Sequence, residues 1–154
     1  MRKKIPSNLE ILIQTSNQIL LLQGPLGSFF YDFSCWLTNN HGKTVFKINF
    51  NSGDEFYYPN NLSNTFSYHN TLEQFDKYLS QFIKKYHIQA IVCFGDTRPY
   101  HQIAKKLTKK YHLKFWVFEE GYFRPHLVTL EQNGVNALSF FPNYAQFYIN
   151  ALPH

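Results

Sequence analysis

Four short runs of β-forming residues recur along the chain: "QILLLQ" (18–23), "KTVFKINF" (43–50), "IQAIVCF" (88–94) and "LKFWVF" (113–118). Each ends at a polar loop that carries glycine: "GPLG", "NSGDEF", "GDTRPYH" and "EEGYFRP". Runs of six to eight residues have strand length, and their near-continuous apolar character is that of strands buried on both faces, as in a parallel sheet. Only "KTVFKINF" alternates.

The segments between these runs read as helices. From Ser28, in N-cap position, Phe29, Phe33 and Leu37 fall about one turn apart, and "NNHG" (39–42) supplies the C-cap. Over 71–87, Leu72, Phe75, Leu79, Phe82 and Tyr86 share one face, and over 100–112 Ile103, Ala104 and Leu107 turn inward. Residues 51–70 have no clear period and are expected to form a long loop. "HLVTLE" (126–131) reads as a short strand, and the tail from 137 as a connecting segment. The order β-α-β-α-β-α-β, with crossovers long enough for parallel pairing, predicts an α/β, Rossmann-like, doubly wound parallel sheet. All four polar loops then lie at the carboxyl edge of the sheet, where such folds bind ligands.

A chain of 154 residues has room for one domain and one sizeable core. With 44% hydrophobic and 16% charged residues it is globular rather than disordered. Its aromatic content of 19% exceeds what one small core absorbs, so part of the aromatic surface is expected to meet a partner, a further domain or lipid. A net charge of +5 suits anionic partners, although Lys84-Lys85, Lys105-Lys106 and Lys109-Lys110 sit at the spacing of solvated helix faces. No RNA-recognition or zinc-finger pattern is present, and nucleic acid is not an expected partner. Cys35 and Cys93 are unpaired in spacing and read as reduced core residues of a cytosolic protein. "MRKKIPSNLEILIQ" lacks the long apolar region of a signal peptide, and no run approaches the ~20 apolar residues of a membrane span. The seven histidines show no metal-ligand spacing, so no metal is expected.

Three loops carry the chemistry. "QGPLG" precedes a helix, and its amides could face an anion with the helix dipole behind them; a plain strand-to-helix turn fits as well. It is neither G-x-G-x-x-G nor a Walker loop. "GDTRPYH" offers Asp96, Arg98 and His101 for acid–base work or for binding phosphate or carboxylate. "EEGYFRP" places Glu119 and Glu120 directly after a strand, where adjacent carboxylates raise each other's pKa in a dry site. Gly121 permits close approach of a substrate, and Arg124 can hold an anionic group.

"LLLQGPLGSFF", "VFKINFNSGDEFYYP", "IVCFGDTRPYH" and "VFEEGYFRPHLVTLEQNGVN", in this order, resemble the bacterial capsule polysaccharide biosynthesis and export proteins, over roughly residues 18–142. The resemblance implies a cytoplasmic β-Kdo transferase, peripheral to the inner membrane, with two Rossmann-like domains (GT-B type). It would pass Kdo from the donor substrate CMP-Kdo, with retention, to a phosphatidylglycerol-type lipid; no cofactor is implied. Its acidic-acidic-Gly motif falls on Glu119, Glu120 and Gly121, making Glu119, Glu120 and Asp96 the catalytic candidates. Gln23, Gly24 and Gly27 would shape the cleft floor, and Arg98, His101 and Arg124 would bind donor or acceptor anions. The family's second domain carries a His-Pro motif that this chain lacks. Residues 1–142 are therefore expected to be the N-terminal Rossmann-like domain and 143–154 the start of an interdomain connector. Its partners would be the lipid acceptor and a C-terminal half or other capsule-assembly proteins. The rival expectations are a non-catalytic remnant or binding module for an anionic lipid or sugar, and an unrelated Rossmann-like domain for another phosphorylated ligand.

Overall fold

The structure, a computed structural model, describes residues 5–120 and 128–133 and the backbone of 146–147. Its elements run α1 (Asn8–Thr15), β1 (Gln18–Leu21), α2 (Phe29–His41), β2 (Thr44–Asn49), α3 (Ser52–Tyr57), β3 (Thr65–Ser67), α4 (Leu72–Tyr86), β4 (Ala90–Phe94), α5 (Pro99–Lys110), β5 (Lys114–Glu120), β6 (Val128–Gln132) and β7 (Gln146–Phe147). They build a seven-stranded sheet in the order β3-β2-β1-β4-β5-β6-β7. The first five strands in that order are mutually parallel, and β6 and β7 run antiparallel at one edge. The chain winds outward from β1 in one direction through β2 and β3, then returns to β4 and continues the other way. This is the Rossmann-like doubly wound arrangement, with its switch point between β1 and β4.

Strand alternation divides the core into two layers. On one face of the sheet Leu20, Ile48, Ile91 and Val117 pack with Phe75 and Leu79 of α4 and Ala104 and Leu107 of α5. On the other, Ile19, Leu21, Val92, Trp116 and Phe118 pack with Leu12 of α1 and Phe30, Phe33 and Leu37 of α2. Gly42 closes α2 at φ +63°, the left-handed C-cap read from "NNHG". Ser28 occupies the N-cap of α2, but its side chain makes no capping bond; its hydroxyl donates instead to Asp32 Oδ2 at 2.8 Å. Cys93 lies in the core, where burial pushes its thiol well above the usual range, whereas Cys35 is only half-buried.

Three differences from the sequence expectation have local causes. The segment 51–70 is not a plain loop. Asn51 caps α3 by accepting from the Asp54 amide at 2.9 Å, and β3 pairs in parallel with Lys47–Asn49. α3 buries no side chain and β3 is three residues long, so neither leaves a periodic trace. The helix α1 went unread although "SNLE" spells a capping box: Ser7 Oγ accepts from the Glu10 amide at 3.2 Å, and the Ser7 amide donates to Glu10 Oε2 at 2.7 Å. Ser7→Ala should therefore cost about 1 kcal/mol, read as a lowered urea midpoint. An unchanged midpoint would mean that α1 is held by its packing and tertiary bonds, such as Leu12 in the core and the bond from Asn8 Nδ2 to the Leu130 carbonyl, rather than by its cap.

The third difference bears on function. β5 does not stop at Phe118. Its parallel pairing with β4 ends at Phe94–Phe118, and then Glu119 pairs with Thr129 and Glu120 with Val128 of the antiparallel β6. The two glutamates are strand residues beyond the end of β4, not loop residues. β7, inside the stretch expected to be connector, is hydrogen-bonded to β6.

Candidate functional site

The loop from Gln23 to Ser28 leaves β1 at the switch point and must turn at once into α2. Gly24 is required there because a Cβ would stand 2.9 Å from the ring of Phe30, itself buried against Phe118. Gly27 takes φ +103°, a conformation that side chains resist. The loop is tied to the next strand by the Phe94 amide, which donates to the Gln23 carbonyl at 3.1 Å. It forms one wall of a cleft of about 150 Å³. Asn51, Asp54, Tyr57 and Tyr58 make the opposite wall, Lys47 lines it from β2, and Arg98 lines it from the β4–α5 loop. Arg98 is held there as the N-cap of α5, with Pro99 at the first helical position.

Lys47 is 2% exposed, and its Nζ donates to the Ile48 carbonyl at 2.9 Å and lies 5.7 Å from the centre of the Tyr58 ring. Burial lowers its pKa to about 8, against the pull of the Asp54 carboxylate, which favours the ammonium. Burial also raises the Tyr58 phenol.

The other candidates do not line this cleft and fall into three different situations. Asp96 is 9% exposed and Glu119 is half-buried, close enough to feel the Asp96 charge. The Glu119 pKa is raised, first by burial and then by the neighbouring charges of Asp96, Glu131 and Glu120. Glu119 shares its sheet face with Val117 and hence with the α4–α5 layer, whereas Glu120 projects with Phe118 to the α2 side and is exposed. Adjacent in sequence, the two carboxylates do not face one space. His101 has no exposed surface: its Nδ1 stands 2.6 Å from the Gly95 carbonyl, and its Nε2 is buried without a partner. It braces the turn that carries Asp96 and Arg98 and does not reach the cleft. Gly121 and Arg124 lie outside the described residues.

The structure thus gathers Gln23, Gly24, Gly27 and Arg98 into one cleft and sets Asp96 and Glu119 together at the mouths of β4 and β5. Sequence reasoning missed Lys47. The alternation of "KTVFKINF" put it on a polar face with Lys43 and Asn49, but α2 and Tyr58 cover that face. The available signal was a lysine flanked by Val45, Phe46 and Ile48 in a strand predicted to be internal. Among the described residues no group of three His, Cys, Asp or Glu side chains is placed to hold a metal ion, and no helix is long and apolar enough to cross a membrane.

Comparison with known proteins gives concordant matches. Residues 89–154 match the family described as "Capsule polysaccharide biosynthesis protein". The capsule polysaccharide modification protein LipB of Neisseria meningitidis, in serogroups A and B alike, is 48% identical over 149 residues, covering 97% of this chain and 35% of that protein. The capsule polysaccharide export protein KpsS of Escherichia coli is 39% identical over 137 residues, 89% of this chain and 34% of that one. A dTDP-glucose 4,6-dehydratase from Bacillus anthracis, solved in complex with NAD, superposes with a TM-score of 0.44 at 22% identity over 64% of this chain and 36% of the other, too loosely to bear on the site. The chain spans about a third of the length of the curated relatives it matches. With two of its strand-end motifs inside the family match and the relatives aligned along nearly all of it, the chain belongs to the capsule polysaccharide biosynthesis family.

Proposed function

We propose that this chain forms the acceptor-side half of a retaining β-Kdo transferase that moves Kdo from CMP-Kdo to a phosphatidylglycerol-type lipid at the cytoplasmic face of the inner membrane. The observation that carries this reading is the pair Asp96 and Glu119, close enough at the carboxyl edge of the sheet for the Asp96 charge to raise the Glu119 carboxyl, together with the two cations, Lys47 and Arg98, that line a cleft on the α2 side of that edge. Retention needs two displacements at the anomeric carbon. In the first, the Asp96 carboxylate attacks that carbon and CMP departs with the bonding pair. In the second, an acceptor hydroxyl gives its proton to Glu119 and displaces Asp96. A carboxyl held above its ordinary pKa suits Glu119 to the proton transfer. The nucleotide would be held by the part of the relatives that this chain does not span, and a C-terminal half or another capsule-assembly protein is the expected partner.

The test is a chimera in which this chain replaces the matching segment of the N. meningitidis relative. It should restore capsule in a strain lacking that relative and transfer Kdo from CMP-Kdo to a phosphatidylglycerol-type acceptor, while the chain alone should be inactive. Turnover by the isolated chain, or a folded chimera that restores capsule without Kdo transfer, would overturn the reading. The cleft lined by Lys47 and Arg98 favours a second reading: a binding module for an anionic lipid or sugar with no chemistry of its own.

A further inference from the structure

We propose that the cleft between the Gln23–Gly27 loop and α3 is a phosphate-ester site, with Lys47 as its buried cationic ligand and Arg98 as the second cation at its wall. Lys47 is almost wholly enclosed, yet among the described residues its ammonium has a single hydrogen-bond acceptor, the Ile48 carbonyl. Among the described residues no carboxylate stands within ion-pair distance of it; Asp54, the nearest acidic influence, accepts from the Phe50 amide at 2.8 Å. Burying an ammonium with so little compensation works against folding, and an apolar residue would fill that position at lower cost. Its two remaining N–H donors are available where it lines the cleft. The first turn of α2 opens on the same cleft without a side-chain cap, so its amides add donors to those of the two cations.

Size narrows the class of ligand. The cleft of about 150 Å³ is well under the ~300 Å³ at which ligand pockets usually begin, so it fits a phosphate with a short polyol rather than a nucleotide. Leu26 and Tyr57 at its wall are exposed, and Phe56, 77% exposed, extends this apolar surface through its ring contact with Tyr57, the ring centres 5.0 Å apart. Such a surface would lie against acyl chains if the phosphate belongs to a lipid headgroup, and only this choice of source rests on the reading of the preceding section.

The purified chain should bind glycerol 1-phosphate in calorimetry, and Lys47→Met should weaken binding roughly tenfold to a hundredfold, the loss expected for one charged hydrogen-bond donor. Arg98→Gln should weaken it as well and keeps the test decisive if Lys47→Met does not fold. The charged and titratable groups that line the cleft with Lys47 are Asp54, Tyr31, Tyr58 and Arg98, with the neutral His101 buried behind them, and burial or neighbours keep both tyrosines protonated. Wild-type affinity should therefore fall as pH rises through about 8, where the ammonium is lost, and Lys47→Met should flatten this profile. Vesicles containing phosphatidylglycerol should bind where phosphatidylcholine vesicles do not, and Leu26→Ser with Phe56→Ser should weaken only the vesicle arm. Binding of glycerol phosphate without vesicles would keep the site, assign it a soluble phosphate ester and refute the lipid acceptor. Affinities within twofold of wild type in both cation variants, or no binding in either arm, would overturn the proposal.

Discussion

Lowering the pH from 7 to 4 should remove about 3 kcal/mol of folding stability through His101, and His101→Leu should abolish that part of the pH dependence. The imidazole is sealed beneath the Gly95 turn with Nδ1 as the donor to the Gly95 carbonyl, which leaves Nε2 as a bare acceptor in a space with no partner. Protonation would place a second N–H there with nothing to receive it. Burial is the largest cause, the positive charges of Arg98 and Lys47 act in the same direction, and together they lower the pKa from 6.5 to about 4 against the favourable Gly95 bond. A depressed histidine gives stability that is complete above the unfolded value. That stability is lost as the pH falls from about 6.5 to about 4, because only the unfolded chain takes up the proton in this window. A shift of this size corresponds to about 3 kcal/mol. Glu119 and Glu131 act with the opposite sign: their raised pKa values make the folded state bind protons first, which adds stability as the pH falls. Both are only partly enclosed, so their contribution is smaller. The leucine substitution would also leave the Gly95 carbonyl without its donor, at a cost of about 1 kcal/mol that does not change with pH. Urea midpoints from pH 4 to 8 separate the two effects. Parallel curves for wild type and His101→Leu would show that the histidine is not the acid-sensitive group.

The same residue shows where sequence reading stops. "GDTRPYH" put Asp96, Arg98 and His101 in one loop and gave them one purpose, but the helix that begins at Pro99 turns the third side chain into the core. A histidine two positions into a helix is inward or outward according to the packing of the whole face, which is non-local. The four parallel strands were legible because buried parallel strands need apolar residues on both faces and leave a run that nothing else explains. The extension of β5 through Glu120 was not, because it depends on β6 returning antiparallel from beyond residue 127. Lys47 was hidden for the same reason: whether a polar strand face meets water depends on what covers it. What remained readable at the site was the turn chemistry of Gly24 and Gly27 and the placement of Arg98 ahead of a proline, all local constraints.

In the transferring chimera, Asp96→Asn should lower kcat by about 10⁴-fold or more, the scale of losing a nucleophile, and Glu119→Gln by about 10²- to 10⁴-fold, the scale of losing a general base. Glu120→Gln should stay within about tenfold, because strand alternation turns its side chain to the other face of the sheet from Glu119, whose carboxyl the Asp96 charge raises. The acidic-acidic pair alone predicts no such asymmetry; it follows from Glu119 sharing the α4–α5 face while Glu120 lies with Phe118 on the α2 side. A second readout distinguishes catalysis from support. After burial itself, the Asp96 charge does most to raise the Glu119 carboxyl, so replacing it with a neutral side chain should let the Glu119 pKa fall. The acid limb of the residual pH–rate profile should accordingly move to lower pH in Asp96→Asn, and Glu119→Gln should remove the Glu119 ionisation from that limb. Equal losses at Glu119 and Glu120 would mean that the pair acts as a unit despite its geometry. Full activity in both Asp96→Asn and Glu119→Gln would move the chemistry off this edge of the sheet, leaving the cleft as a binding site only.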